Sequence, residues 1–244
     1  MQDLPYEPLR TKIIACATVI EEMQPLLPQG VTSETLDFGL HMIPNNLRKI
    51  LQQVVDDQCF EFDTFILGYG LCAMAVVGLQ TRNCTVVVPR VDDCIAFFLG
   101  SKNAYDEQAR KEPGTYYLTK GWIEIGDTPF EEYHRLVEQF GEGQADRIIG
   151  IILKNYTRLA YIDTGQKDQD HYREYSRTAA KKFNLRFEEI KGSDTLIRKL
   201  LFGPWDDEIL KAPPGHTIEY LDFKTSTITT CNTYSFPCRS ESNR

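Results

Sequence analysis

The sequence contains no run of about 18 apolar residues, so no segment reads as a bilayer-spanning helix. Cations are in the minority, with 27 Lys and Arg against 35 Asp and Glu and a net charge of −8. Phosphate binding needs clustered Lys and Arg, so a broad nucleic-acid face and an anionic membrane surface are both excluded as expectations. The first ten residues are polar and include Pro5 and Pro8. They lack the basic start and apolar stretch of a secretion signal, which makes the cytoplasm the expected location. There is no Walker A loop, no GxSxG elbow and no HExxH pair. Gly68-Tyr69-Gly70 lacks the third glycine of a dinucleotide fingerprint.

Cysteine, by contrast, is well represented, with seven in 244 residues. In a reducing compartment, grouped cysteines point to metal or redox chemistry more than to a disulfide framework. Simple packing is the competing reading, because free Cys is among the most buried residue types. Hydrophobic residues at 42% and charged residues at 25% are ordinary for a globular chain with a substantial core.

Strand-like and helix-like stretches alternate. Residues 12–19 (KIIACATV), 63–67 (DTFIL), 85–88 (TVVV), 158–162 (RLAYI), 185–190 and 216–221 read as strands. Residues 46–55 read as a helix with Asn45 as N-cap, and 72–79, 91–99, 130–140, 171–183 and 194–201 as further helices, the last capped by Ser193. Residues 146–153 fit either a strand or a helix end, and 101–127 reads as an insertion or long loop. The fold class that follows is α/β, a mostly parallel sheet with helices on both faces. The expected organisation is an N-terminal extension over 1–11, an α/β domain over 12–223 and a disordered tail over 224–244. The domain is one continuous sheet or two facing halves, 12–125 and 126–223.

In an open parallel sheet, sites form outside the carboxyl ends of the strands. Cys16 lies late in the first strand, Cys72 follows the second within GYGLC, and Cys94 follows the third within PRVDDC. No local CxxC spacing forces them together, but a parallel sheet would bring these strand ends to one edge. Three converging thiolates would suit zinc or an iron–sulfur cluster, and either centre keeps a position open for substrate. Gly68 and Gly70 allow sharp turns around Tyr69, which with Arg90 is a candidate for substrate binding. Asp93 and His41 are candidates for proton movement, and His41 can equally be a fourth ligand or a satisfied polar residue. Asp163, in Asp163-Thr164-Gly165, fits a ligand-facing turn, and Lys154, Tyr156 and Arg158 before it can hold an anionic group or form a solvated edge. Cys59 and Cys84 read as structural, and Cys231 and Cys238 as incidental.

The segments IIACATVIEEM, LHMIPNNL, ILGYGLCAMAVVGL, VVPRVDDCIAFFLGS, GTYYLTKGWIE, YTRLAYIDTG and IRKLLFGPWDDE together resemble the DUF1638 family, in order over about residues 12–215. The resemblance implies cysteines at the places of Cys16, Cys72 and Cys94 and a histidine at that of His41. It also implies a setting near corrinoid-dependent methyltransferase systems, hence one-carbon metabolism. The DxHxxG loop of corrinoid proteins is absent. The expectation is therefore a metal-centred enzyme, zinc or iron–sulfur, acting on a small molecule. The alternative is a non-catalytic accessory protein with a corrinoid or methyltransferase partner.

Overall fold

The computed structural model describes residues 4–72, 74–125 and 128–224. In chain order the elements are β1 (Thr11–Cys16), α1 (Ala17–Met23), β2 (Thr32–Leu36), α2 (Pro44–Gln58), β3 (Thr64–Gly68), β4 (Thr85–Pro89), α3 (Ile95–Leu99) and α4 (Lys102–Lys111). They continue with β5 (Thr115–Leu118), α5 (Lys120–Ile125), α6 (Pro129–Phe140), α7 (Glu142–Ile152), β6 (Arg158–Asp163), α8 (Gln169–Lys182), β7 (Arg186–Lys191), α9 (Thr195–Phe202) and β8 (Ile209–Ala212).

Two sheets result. The larger has the order β2-β1-β3-β4-β8, parallel except for β8, which runs antiparallel along β4. The smaller is β5-β6-β7, all parallel. The mixed α/β class is thus as the alternation predicts. β1 is buried along its whole length, which accounts for the unbroken apolar run of its sequence. Gly68 ends β3 beneath α1: a Cβ there would stand 2.6 Å from Ala15 Cβ. From β1 the chain steps to β2 on one side and then crosses back to β3 on the other. The junction between β1 and β3 is therefore a topological switch point, where the carboxyl ends of an open sheet leave a crevice.

The sheets pack on a joined core, and Trp122 from α5 touches both apolar clusters. Lys120 pairs with Glu21, and Thr164 Oγ1 donates to Glu22 Oε1 at 2.7 Å, so α1 of the large sheet is tied to the small one. The chain path differs from a split at residue 125. β5 and α5 precede that point yet belong with the small sheet, and β8 returns to the large one.

The segment read as an insertion holds α4, β5 and α5. Ser101 Oγ caps α4 by accepting from Ala104 N at 3.0 Å, and Lys102–Asp106 and Glu107–Lys111 pairs run along it. That helix has no buried residue and therefore no apolar stripe to announce it. Cys72 and residues 74–78 form turns instead of a helix, because Leu71 and Cys72 donate to the Val91 and Asp92 carbonyls and Gly78 to Ile218. Cys72 and Met74 adopt left-handed backbone at φ 43° and 73°. The first strand stops at Cys16, three residues short of the expected end, and Asp194 takes the cap position of α9 next to Ser193. Residues 146–153 are mostly helical, within α7. Thr217 makes only an isolated bridge to Gln80 where a final strand was expected. No helix among the described residues is long and apolar enough to cross a membrane. Cys231 and Cys238 lie outside the described residues.

Candidate functional site: a thiol-lined cavity at the switch point

A cavity of about 190 Å³ opens at the carboxyl ends of β1 and β3, lined by Cys16, Cys72, Cys94, Tyr69, Asp93 and His41, with Asp37, Phe38, Leu40, Gly68 and Trp122 completing it. Cys16 is both the last residue of β1 and the N-cap of α1. Its sulfur lies 3.2 Å from Thr18 Oγ1. Cys72 sits on the turn after Gly70, where an added Cβ would stand 2.5 Å from the Val91 carbonyl oxygen. Only glycine lets the two loops close on each other there. Cys94 caps α3, and Asp93 precedes it. Six of the residues expected at the site, Cys16, His41, Tyr69, Cys72, Asp93 and Cys94, thus share one chamber.

Burial holds all three thiols in the neutral form. It raises the Cys16 thiol, pushes Cys72 up to about 12 and raises Cys94 well above the ordinary range, with the neighbouring thiols adding to the last two. The Tyr69 phenol is raised as well, by burial first and then by the three sulfurs. Burial also raises the Asp93 carboxyl, against the opposing bonds from Ile95 N to Oδ1 at 2.9 Å and from Tyr105 Oη to Oδ2 at 3.1 Å. His41 sits exposed at the rim on a 3-10 turn capped by Asp37, with its Nδ1–H donating to the Phe38 carbonyl. That bond directs the ring and leaves Nε2 as the nitrogen for other partners.

Two of the expected residues stand elsewhere. The Arg90 guanidinium donates to the carbonyls of Asp222 at 2.6 Å, Asp207 at 2.9 Å and Ile209 at 3.1 Å, binding the segment 207–222 to the sheet. Asp163 accepts from Gly165 N and pairs with Arg173 at 3.2 Å, lining a different cleft with Glu189 and Lys191 at the end of the small sheet. Cys59 and Cys84 donate to backbone carbonyls of Asp56 and Thr81. Trp122, Phe38 and Tyr105 were not singled out by the sequence. Trp122 lies within GTYYLTKGWIE, a segment carrying the family resemblance, but no spacing rule links it to the cysteines.

By type, three soft thiols with an imidazole and a carboxylate nearby fit zinc or an iron–sulfur centre. Among the described residues, however, no three His, Cys, Asp or Glu side chains are gathered ready to hold an ion. The donors share the cavity without being drawn to a point.

No curated protein and no solved structure matches the chain. The model of a family described as a protein of unknown function, DUF1638, matches residues 35–201, which includes His41, Cys72 and Cys94 and begins after Cys16. The chain belongs to the DUF1638 family.

Proposed function

We propose that the protein is a metal-centred enzyme acting on a small molecule, with Cys16, Cys72 and Cys94 as ligands of zinc or an iron–sulfur cluster. The observation that carries this reading is the arrival of three cysteines, from three separate strand ends, at one cavity on the switch point. Such a centre would supply Lewis acidity or electron transfer at a position left open to substrate. The protein's own groups do the rest. Asp93 stands half-buried in the chamber wall, placed to hold a proton, and His41 Nε2 at the rim can exchange one with solvent. Trp122 and Phe38 line the chamber with apolar ring surface. The resemblance to proteins set beside corrinoid systems makes methyl transfer the reaction class to test first.

That the thiols are not gathered favours a second reading, a binding or accessory protein that uses the cavity without turnover. Elemental analysis, acid-labile sulfide and a visible spectrum on protein purified without oxygen separate the two. Stoichiometric zinc, or iron with sulfide, lost in Cys16→Ser, Cys72→Ser and Cys94→Ser but retained in Cys59→Ser, is the expected result. Metal content that none of the three substitutions changes would refute the centre. Protein free of metal in every preparation would leave the binding reading.

A further inference from the structure

Two hydrogen-bond donors at the cavity are buried and unused. Tyr69 is 3% exposed, and its Oη has no hydrogen-bond partner among the described residues. Trp122 lines the same cavity, and its Nε1–H is likewise buried without an acceptor. The carboxylates on the wall do not serve them. Asp93 accepts from Ile95 N and Tyr105 Oη, and Asp37 Oδ1 accepts from Gly39 N at 2.8 Å, with neither bonded to the two unused donors. A buried donor left unpaired costs about as much as a lost hydrogen bond, so it is rarely tolerated without a purpose. A phenol at its ordinary protonation can donate or accept, whereas an indole can only donate, so the one kind of group that both can hold is an acceptor.

We propose that the cavity takes a small molecule through an oxygen acceptor, a carbonyl or carboxylate, held between Tyr69 Oη and Trp122 Nε1. The proposal rests on reading the chamber as a small-molecule site and names the substrate class. Size narrows it further. A cavity of roughly 150 Å³ holds benzene, so about 190 Å³ admits a molecule of roughly six to eight non-hydrogen atoms. The remaining lining, Phe38, Leu40 and Gly68, favours an apolar body behind the acceptor. Two donors on one oxygen also stabilise charge that develops there, the arrangement of an oxyanion hole.

The chain has two tryptophans, and the other, Trp205, donates its Nε1–H to the Leu200 carbonyl at 3.0 Å. Its indole signal in a proton–nitrogen correlation spectrum of the full chain is therefore an internal reference. Cyclopentanone and isobutyrate serve as acceptor probes, and methylenecyclopentane as the same shape without an acceptor. The expected result is a saturable downfield move of the Trp122 indole proton with an acceptor probe, with Trp205 unmoved and methylenecyclopentane inert. Calorimetry should show that Tyr69→Phe weakens the probe about tenfold, the loss of one hydrogen bond. Absence of any effect from both acceptor probes would mean that water satisfies the donors and would overturn the proposal. So would an equal effect from methylenecyclopentane, or unchanged affinity in Tyr69→Phe. Metal content measured on the same samples keeps the two readings apart: a probe response in metal-free protein supports the acceptor site while sinking the metal centre, and metal without a response does the reverse.

Discussion

Tyr105 Oη donates to Asp93 Oδ2 at 3.1 Å across the wall that separates the thiol-lined cavity from a second, aromatic one lined by Tyr105, Tyr116 and Tyr156. The bond favours the charged carboxylate against burial, which pushes the other way and is the larger effect. Tyr105→Phe should therefore raise the Asp93 carboxyl further. A carbon-13 titration of the side-chain carboxyl measures this, and an unchanged midpoint would sink the assignment.

The same group has a consequence for stability. Its folded pKa lies above its unfolded value, so the folded state binds more protons through the window that starts near the ordinary 3.8 and extends upward. Stability from Asp93 is then present below that window and lost as pH rises through it. Asp93→Asn keeps an acceptor for Ile95 N and removes the ionisation. The variant should be more stable than the parent at neutral pH, with the difference shrinking on acidification. Urea midpoints at several pH values test this, and a pH-independent difference would contradict it.

Thiol reactivity follows from burial. The thiolate is the nucleophile, and Cys16, Cys72 and Cys94 are all held in the neutral form. In metal-free protein at neutral pH, iodoacetamide should label the buried Cys16 about tenfold or more slowly than the half-buried Cys59. Peptide mass spectrometry over time reads the sites separately, and equal rates would argue against a closed chamber.

Gly70→Ala forces a side chain against the Val91 carbonyl, with the oxygen at 2.5 Å and its carbon at 3.0 Å. Backbone cannot swing aside as a flexible side chain can, so the cost should be about 2 kcal/mol or more. Denaturant unfolding measures it. A neutral effect would mean that the loops carrying Cys72 and Cys94 are not locked together.

Arg158 is 2% exposed and bonds to Thr115 Oγ1 at 2.8 Å, Gln108 Oε1 at 2.9 Å and Glu188 Oε2 at 3.0 Å. It joins all three strands of the small sheet to α4. Arg158→Met should cost about 3 kcal/mol, since it removes three bonds at once and strands the buried Thr115. Glu188 keeps Arg186 at 2.7 Å, which should hold the loss near that figure. Unfolding followed by Trp fluorescence would show it, and a loss under about 1 kcal/mol would demote the residue to a surface pair.

The parallel strands β1, β3, β4 and β6 were legible because burial on both sides writes an unbroken apolar run. β2, with sequence TSETL, was not, since as an edge strand it is largely exposed and held by backbone bonds to β1. α4 was hidden for a similar reason: capping and charge pairs build it. The convergence of Cys16, Cys72 and Cys94 could be read from order alone, because a parallel sheet puts successive strand ends on one edge. Trp122 could not, since it arrives from the second sheet through α5. Arg90 looked like a site residue for its place at a strand end, yet the carbonyls of Asp207, Ile209 and Asp222 consume it.

Among the described residues, β8 is the last strand made and the only neighbour of β4 on that side. During synthesis at about 5–20 residues per second, the Val86–Pro89 edge must wait on the order of ten seconds for Ile209–Ala212 to emerge. A valine-rich edge left open that long is a template for another nascent chain. Arg90, by gripping the carbonyls of Asp207 and Ile209, is the latch that ends the exposure. Shortening the chain ahead of β8 would therefore not merely trim the protein but turn its main sheet into an adhesive.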